Sequence, residues 1–236
     1  MSASVPVQVE SRERNQSYQS LGDWFYFFMS LLIAAIVVYG FGQRAERQLI
    51  HPLHPKPPIM WVHIAVFSGW VLFYIAQSVL VRTRHIPLHR KLGWFGVVLG
   101  ASLPIVGTIT TVVMRRFDLQ YSDLREIAPN LTIGLMDMVS FTVPFVLAIW
   151  WRRMPDRHRR LMLVATCALT AGAFVRFPPF FHPWPWYHLG VDLLIVLGMA
   201  HDLIVQRRIH AVYLWSLPLL FTAQVAALST VVNLWK

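Results

Sequence analysis

The chain has 236 residues, of which 56% are hydrophobic and only 14% charged, and its formal net charge is +10. Soluble domains carry about 25% charged residues, so this composition excludes an ordinary soluble domain. The basic residues fall in short clusters between apolar runs, a pattern that points to membrane loops and away from nucleic acid.

Residues 1–22 are polar, rich in Ser, Gln, Glu and Arg, and hold no apolar h-region before a cleavage site. They read as a cytoplasmic tail with no secretory signal peptide. Residues 23–236 read as a single transmembrane domain. Within it seven apolar segments stand out, at 24–42, 59–81, 92–113, 131–151, 161–177, 188–205 and 211–235. Each is near the length that crosses a hydrocarbon core. The expected fold is all-α, a polytopic bundle of seven transmembrane helices.

The second connection holds Arg82, Arg84, Arg90 and Lys91; the fourth holds Arg152, Arg153, Arg157, Arg159 and Arg160; the sixth holds Arg207 and Arg208. Under the positive-inside rule these three face the cytoplasm, which leaves the N-terminus inside and the C-terminus outside. The bacterial inner membrane is the expected location. The fifth segment is the shortest and ends at "RFPPFFHPWPWYH", residues 176–188. Proline stops the helix there, and the tract reads as an interfacial re-entry loop, with Trp184, Trp186 and Tyr187 in an aromatic belt. Pro104, Pro144 and Pro218 are expected to kink the third, fourth and seventh spans. Cys167 lies alone in an apolar run and reads as a packing residue.

The three basic connections end alike. "HRKL" (89–92) opens span three, "HRRL" (158–161) opens span five and "RRIH" (207–210) opens span seven. Cations at a helix N-terminus oppose its dipole. Anchoring at the anionic leaflet, about 1 kcal/mol per cation, is the plainer reason for them. The alternative is that His89 and His158 belong to a site.

Ionisable groups inside spans are costly and are functional candidates by default. Four qualify: His63, Asp137, Arg176 and Asp192. At 1.5 Å per residue they lie about 22–28 Å from the nearest basic cluster, so all four fall in the outer half at similar depth. There they could neutralise one another, as a salt-bridge layer or as a polar pocket, and His188 could join them. Gln77 and His201–Asp202 fall toward the cytoplasmic side, His201 as an interfacial group bonded to Asp202 or water.

A b-type haem needs two axial histidines on facing helices at one depth. The candidates are His89, His158 and His201 on the inner side, with His63 and His188 on the outer. His63 could otherwise pair with His182, His51 or His54. A non-haem divalent metal could use His63, Asp137 and Asp192, but H-E-x-x-H, G-x-S-x-G and Walker A patterns are all absent. No motif decides whether the chain is an enzyme, and no lysine stands in the last span to hold a retinal. Asp137, Asp192 and His63 could serve a proton-coupled carrier, although no inverted repeat is visible.

"VHIAVFSGWVLFYIAQSVLVRTRHIPLHRKLG" followed by "HRRLMLVATCALTAGAFVR" resembles an uncharacterised family of bacterial multi-pass membrane proteins. The matching positions are His63, His89, Arg90, Leu92, Gly93, His158, Arg159, Arg160, Met162 and Arg176, over about half the chain. That family implies no activity. The layout is more loosely similar to four-helix di-haem b-type cytochromes. This likeness implies haem-linked electron transfer through His89 and His158, with Asp137 standing where a second outer histidine belongs. The other function classes are a non-enzymatic subunit or assembly factor of a membrane complex and a small proton-coupled transporter. The lipid bilayer is the one partner common to all of them.

Overall fold

The computed structural model describes residues 6–121, 131–178 and 186–233. All regular structure among them is helical. In chain order the helices are α1 (Pro6–Ala45), α2 (Pro58–Arg82), α3 (Ile86–Tyr121), α4 (Leu131–Trp150), α5 (Pro155–Ala168), α6 (Ala171–Phe174), α7 (Leu189–Gln206) and α8 (Ala211–Asn233). A π-helical turn (Glu46–Ile50) closes α1, and a 3-10 turn (Trp186–His188) leads into α7. Among the described residues six helices are long and apolar enough to cross a membrane: α1 from Trp24, α2, α3, α4, α7 with its leading turn, and α8. Their outward faces are apolar. Leu72, Val98, Trp150 and Leu219 are each at least 66% exposed, a surface that suits acyl chains and would aggregate in water.

The six long helices form a ring, in which α1 packs on α2, α2 on α3, α3 on α4, α4 on α8, α8 on α7 and α7 back on α1. The predicted fifth span is the exception. It folds as α5 and α6, packed against α1, α4, α7 and α8 in the centre of the ring. Arg160, Leu161 and every residue from Leu163 to Ala168 are buried. An element enclosed by protein has no need of a wholly apolar surface, so α5 carries Thr166 and Cys167, and the turn after it Thr170, where the ring helices carry Leu and Val. At the break the Thr170 backbone N–H and hydroxyl both donate to the Cys167 carbonyl (2.9 and 2.6 Å), a tight turn in place of the helical ladder. Gly40 of α1 accommodates the resulting bulge: a Cβ there would stand 2.5 Å from the Ala173 carbonyl.

Two apolar clusters flank the central pass. One joins α1, α5, α7 and α8 around Ile33, Leu163, Val191 and Tyr213. The other joins α2, α3 and α4 around Trp70, Leu103 and Phe141, with Ala165 from α5. Cys167 is free and buried, as expected. Helices α3, α4 and α8 each contain their proline in mid-helix.

Several expectations change. Helix α3 begins and ends beyond the predicted 92–113, taking in His89 and Arg115–Tyr121. The stretch expected as a tail is helical from Pro6 and continuous with the first span. Tyr187 is 2% exposed and belongs to the core, so it takes no part in an aromatic belt, whereas Trp186 is 45% exposed. The rest of the re-entry tract, with His182 and Trp184, lies outside the described residues.

Candidate functional site

The basic connections gather at one end of the ring, where arginines lie over aromatic rings. Arg82 lies over Trp24 (3.9 Å to the centroid), Arg152 over Trp94 (5.6 Å) and Arg157 over Trp151 (5.0 Å). These contacts fit interfacial anchoring. Because Trp24 is among them, the first span begins at this same basic end.

Arg160 departs from the anchoring pattern. It is fully buried and makes a two-pronged bond to the fully buried Asp202 of α7, Nε to Oδ2 at 2.8 Å and Nη2 to Oδ1 at 2.7 Å. Its third nitrogen donates to the Asp156 carbonyl (2.7 Å), and the His210 backbone N–H donates to Asp202 Oδ2 (3.2 Å). Tyr26 and Tyr213 lie within electrostatic reach of the pair. A fork of this kind satisfies both charges away from water. It ties α5 to α7 and to the start of α8. Beside it stands His201, its side chain 9% exposed. Its ring stacks on Phe25 (4.0 Å between centroids), and its Nδ1 is 3.7 Å from Asp202, beyond hydrogen-bond reach.

The repeated motif brings His89 and His158 together. Their ring centroids are 6.4 Å apart, with the planes at 77°. His158 donates Nδ1–H to the Ala148 carbonyl (2.9 Å), one of the last carbonyls of α4, which have no partner within their own helix. That bond fixes the proton on Nδ1 and leaves Nε2 with a lone pair. Burial holds His158 below the ordinary imidazole value of 6.5, with the carbonyl working the other way. The Nδ1 of His89 is buried and unpartnered. One turn further along α3, Gly93 has nothing within 4 Å of where a Cβ would stand. His210, the third motif histidine, accepts the Val212 N–H on Nδ1 (3.1 Å) and so caps α8.

At the opposite half, the predicted polar layer resolves into separate parts. His188 Nε2 bonds Asp137 Oδ1 (3.2 Å). Asp192 Oδ1 accepts from Gln224 Nε2 of α8 (3.1 Å). Arg176 pairs with neither aspartate in these bonds: its guanidinium donates to the Gly172 carbonyl and lies over the Phe41 ring (4.3 Å). His63 stacks on Phe67 (3.9 Å) within the electrostatic reach of Arg176. Mutual neutralisation of all four residues is therefore not what holds the layer. Among the described residues, no three of His, Cys, Asp and Glu converge closely enough to hold one metal ion.

Sequence reasoning missed Arg160 and Gln224. An arginine within a basic run reads as an anchor, and a neutral amide in an apolar run carries no charge signal. The helix through Gln224 does place it level with Asp192, but only the fold shows that α8 sits beside α7. Comparison of the chain with protein-family models, with curated proteins and with solved structures returns no match. What fold and site define is a class: an all-helical protein with six helices fit to cross a membrane, set around a buried polar centre.

Proposed function

We propose that the protein is a multi-pass protein of the bacterial inner membrane that holds a b-type haem between His89 and His158 for electron transfer. The basic end faces the cytoplasm in this reading, and the central pass makes seven crossings. The observation that carries it is the meeting of the two motif histidines from separate helices. The ring centroids are 6.4 Å apart, close enough that both imidazoles would reach one metal centre held between them, given metal–nitrogen bonds of about 2 Å. The donor set fits. His158 has its Nδ1–H on a carbonyl, the outer bond that orients ligating histidines. His89 has no protein partner for its buried Nδ1, and Gly93 leaves space beside it. Arg90 adjoins His89 in sequence and would suit a propionate carboxylate, whereas Arg159 is already paired with Asp156 (2.5 Å). Bound there, a haem supplies a one-electron couple. The likeness in arrangement to four-helix b-type cytochromes belongs with this proposal.

The test is haem content per chain, by pyridine haemochrome, in full-length protein expressed with added haem precursor. One haem per chain is expected in the parent, with loss in His89→Ala and in His158→Ala and retention in His63→Phe. Equal haem in all four proteins, or none in the parent, rejects the reading. Partners that copurify without chromophore would favour the subunit or assembly-factor class.

A further inference from the structure

We propose that the basic end docks the acidic face of a soluble protein which, resting on the haem reading above, is a one-electron carrier. Three connections of three or four residues, 83–85, 151–154 and 207–210, close this end of the ring. On them Arg84, Arg153, Arg207 and Arg208 are all exposed. Across these connections and the helical turns that follow them, Asp156 is the one exposed carboxylate among the described residues, and Arg159 already holds it. The buried Arg160–Asp202 pair cancels its own charge. The face is therefore strongly positive, a field that steers and orients acidic partners.

Lipid anchoring accounts for part of this charge. Arg82, Arg152 and Arg157, over their tryptophans, mark the headgroup level. Arg153 stands elsewhere, where the chain turns inward from α4 in the ring to α5 at its centre. Headgroups gather round the rim of the bundle, so a cation over its middle faces the aqueous side. Arg84 and Arg207 follow α2 and α7 with left-handed backbones, φ 60° and 57°. After Arg82 the turn is closed by the His85 N–H on the Leu80 carbonyl (2.8 Å) and the Arg84 N–H on the Val81 carbonyl (3.1 Å). Glycine makes such a turn with less strain, so what arginine adds there is its side chain. Short connections hold these cations with little left to order on binding. The kind of partner follows from what lies beneath. His89 and His158 are each the fourth residue of their helix, about 5 Å along the axis from its start. A protein seated on this face stands directly over the histidine pair.

The test places full-length protein in phosphatidylcholine nanodiscs on a biosensor surface. The probes are an acidic plant-type [2Fe–2S] ferredoxin and, as a one-electron carrier of opposite charge, a basic cytochrome c. Ferredoxin is expected to bind, at least about tenfold more weakly in about 300 mM than in about 50 mM sodium chloride, and cytochrome c is not. The double reversal Arg84→Glu with Arg153→Glu should weaken ferredoxin at least about tenfold, whereas Arg44→Glu, at the far end, should bind as the parent does. Melting curves show that the variants are folded. Binding is read as mass and needs no chromophore, so a chain that docks ferredoxin yet holds no haem rejects the haem reading and keeps the acidic docking surface. No ferredoxin binding in low salt, or equal binding of both carriers, overturns the proposal. So does a double reversal that leaves ferredoxin binding intact while the purified protein loses bound phosphatidylglycerol, since the cations would then serve lipid headgroups.

Discussion

Arg160 and Asp202 set the first expectation at the residue scale. Removing one member of a buried, doubly bonded ion pair strands the other charge, at a cost of about 3–5 kcal/mol. Arg160→Ala or Asp202→Ala should therefore lower the unfolding midpoint in detergent sharply. The double change Arg160→Met with Asp202→Leu should be milder than either single one, because no charge is left unpaired. If the double variant melts at or below the worse of the two, the pair contributes through something other than its charges. Histidines set the second expectation. Burial lowers both His158 and His210 from 6.5. Between the lowered folded values and 6.5 the unfolded chain binds more protons than the folded one, so stability rises with pH through that window, falls on acidification across it and levels off below the folded values. Melting temperatures of the haem-free protein from pH 8 to pH 5 should show this fall, with a smaller drop in His158→Asn.

At the element scale the central pass shows why sequence alone went only so far. Apolar runs of spanning length are a strong signal, and α2, α4, α7 and α8 lie within a few residues of their predicted ranges. Segment 161–177 carries the same signal yet breaks at Thr170. The backbone tightens there, with the Thr170 N–H on the Cys167 carbonyl, and such a local turn is not written in the hydropathy. The "HRKL" and "HRRL" repeat was legible and drew attention to His89 and His158. That the two rings meet depends on how α3, α4 and α5 pack, a property of three elements together. Arg160 was hidden by its company: four other arginines in the same connection do lie toward the surface, and only its register on α5 turns it inward. The fit of α1 against α6 is testable in its own right. Gly40→Leu places a side chain against the Ala173 backbone and should cost about 1–3 kcal/mol by overpacking, while Gly42→Leu, in open space, should leave the melting temperature within a degree or two of the parent.

At the scale of the whole molecule, a ring of six lipid-facing helices encloses one polar-tolerant pass. The arrangement separates two chemistries by the depth of the bundle, a histidine pair at the basic end and a carboxylate group at the other. The proposed orientation predicts a clear labelling pattern. Leu53, 97% exposed in the first connection, should be modified as Leu53→Cys by an impermeant maleimide in intact cells with a permeabilised outer membrane. Arg84→Cys, in the second connection, should be modified only after lysis. Cys167 is buried and adds no background.

The central claim is the chromophore between His89 and His158, and its most direct test is the absorption spectrum of the detergent-purified protein before and after dithionite. A haem held by both histidines gives a Soret band that sharpens and shifts on reduction, with resolved α and β bands, all absent from His158→Ala. A flat visible spectrum in protein made with ample haem would contradict it, and would leave the two histidines as a helix cap and its neighbour.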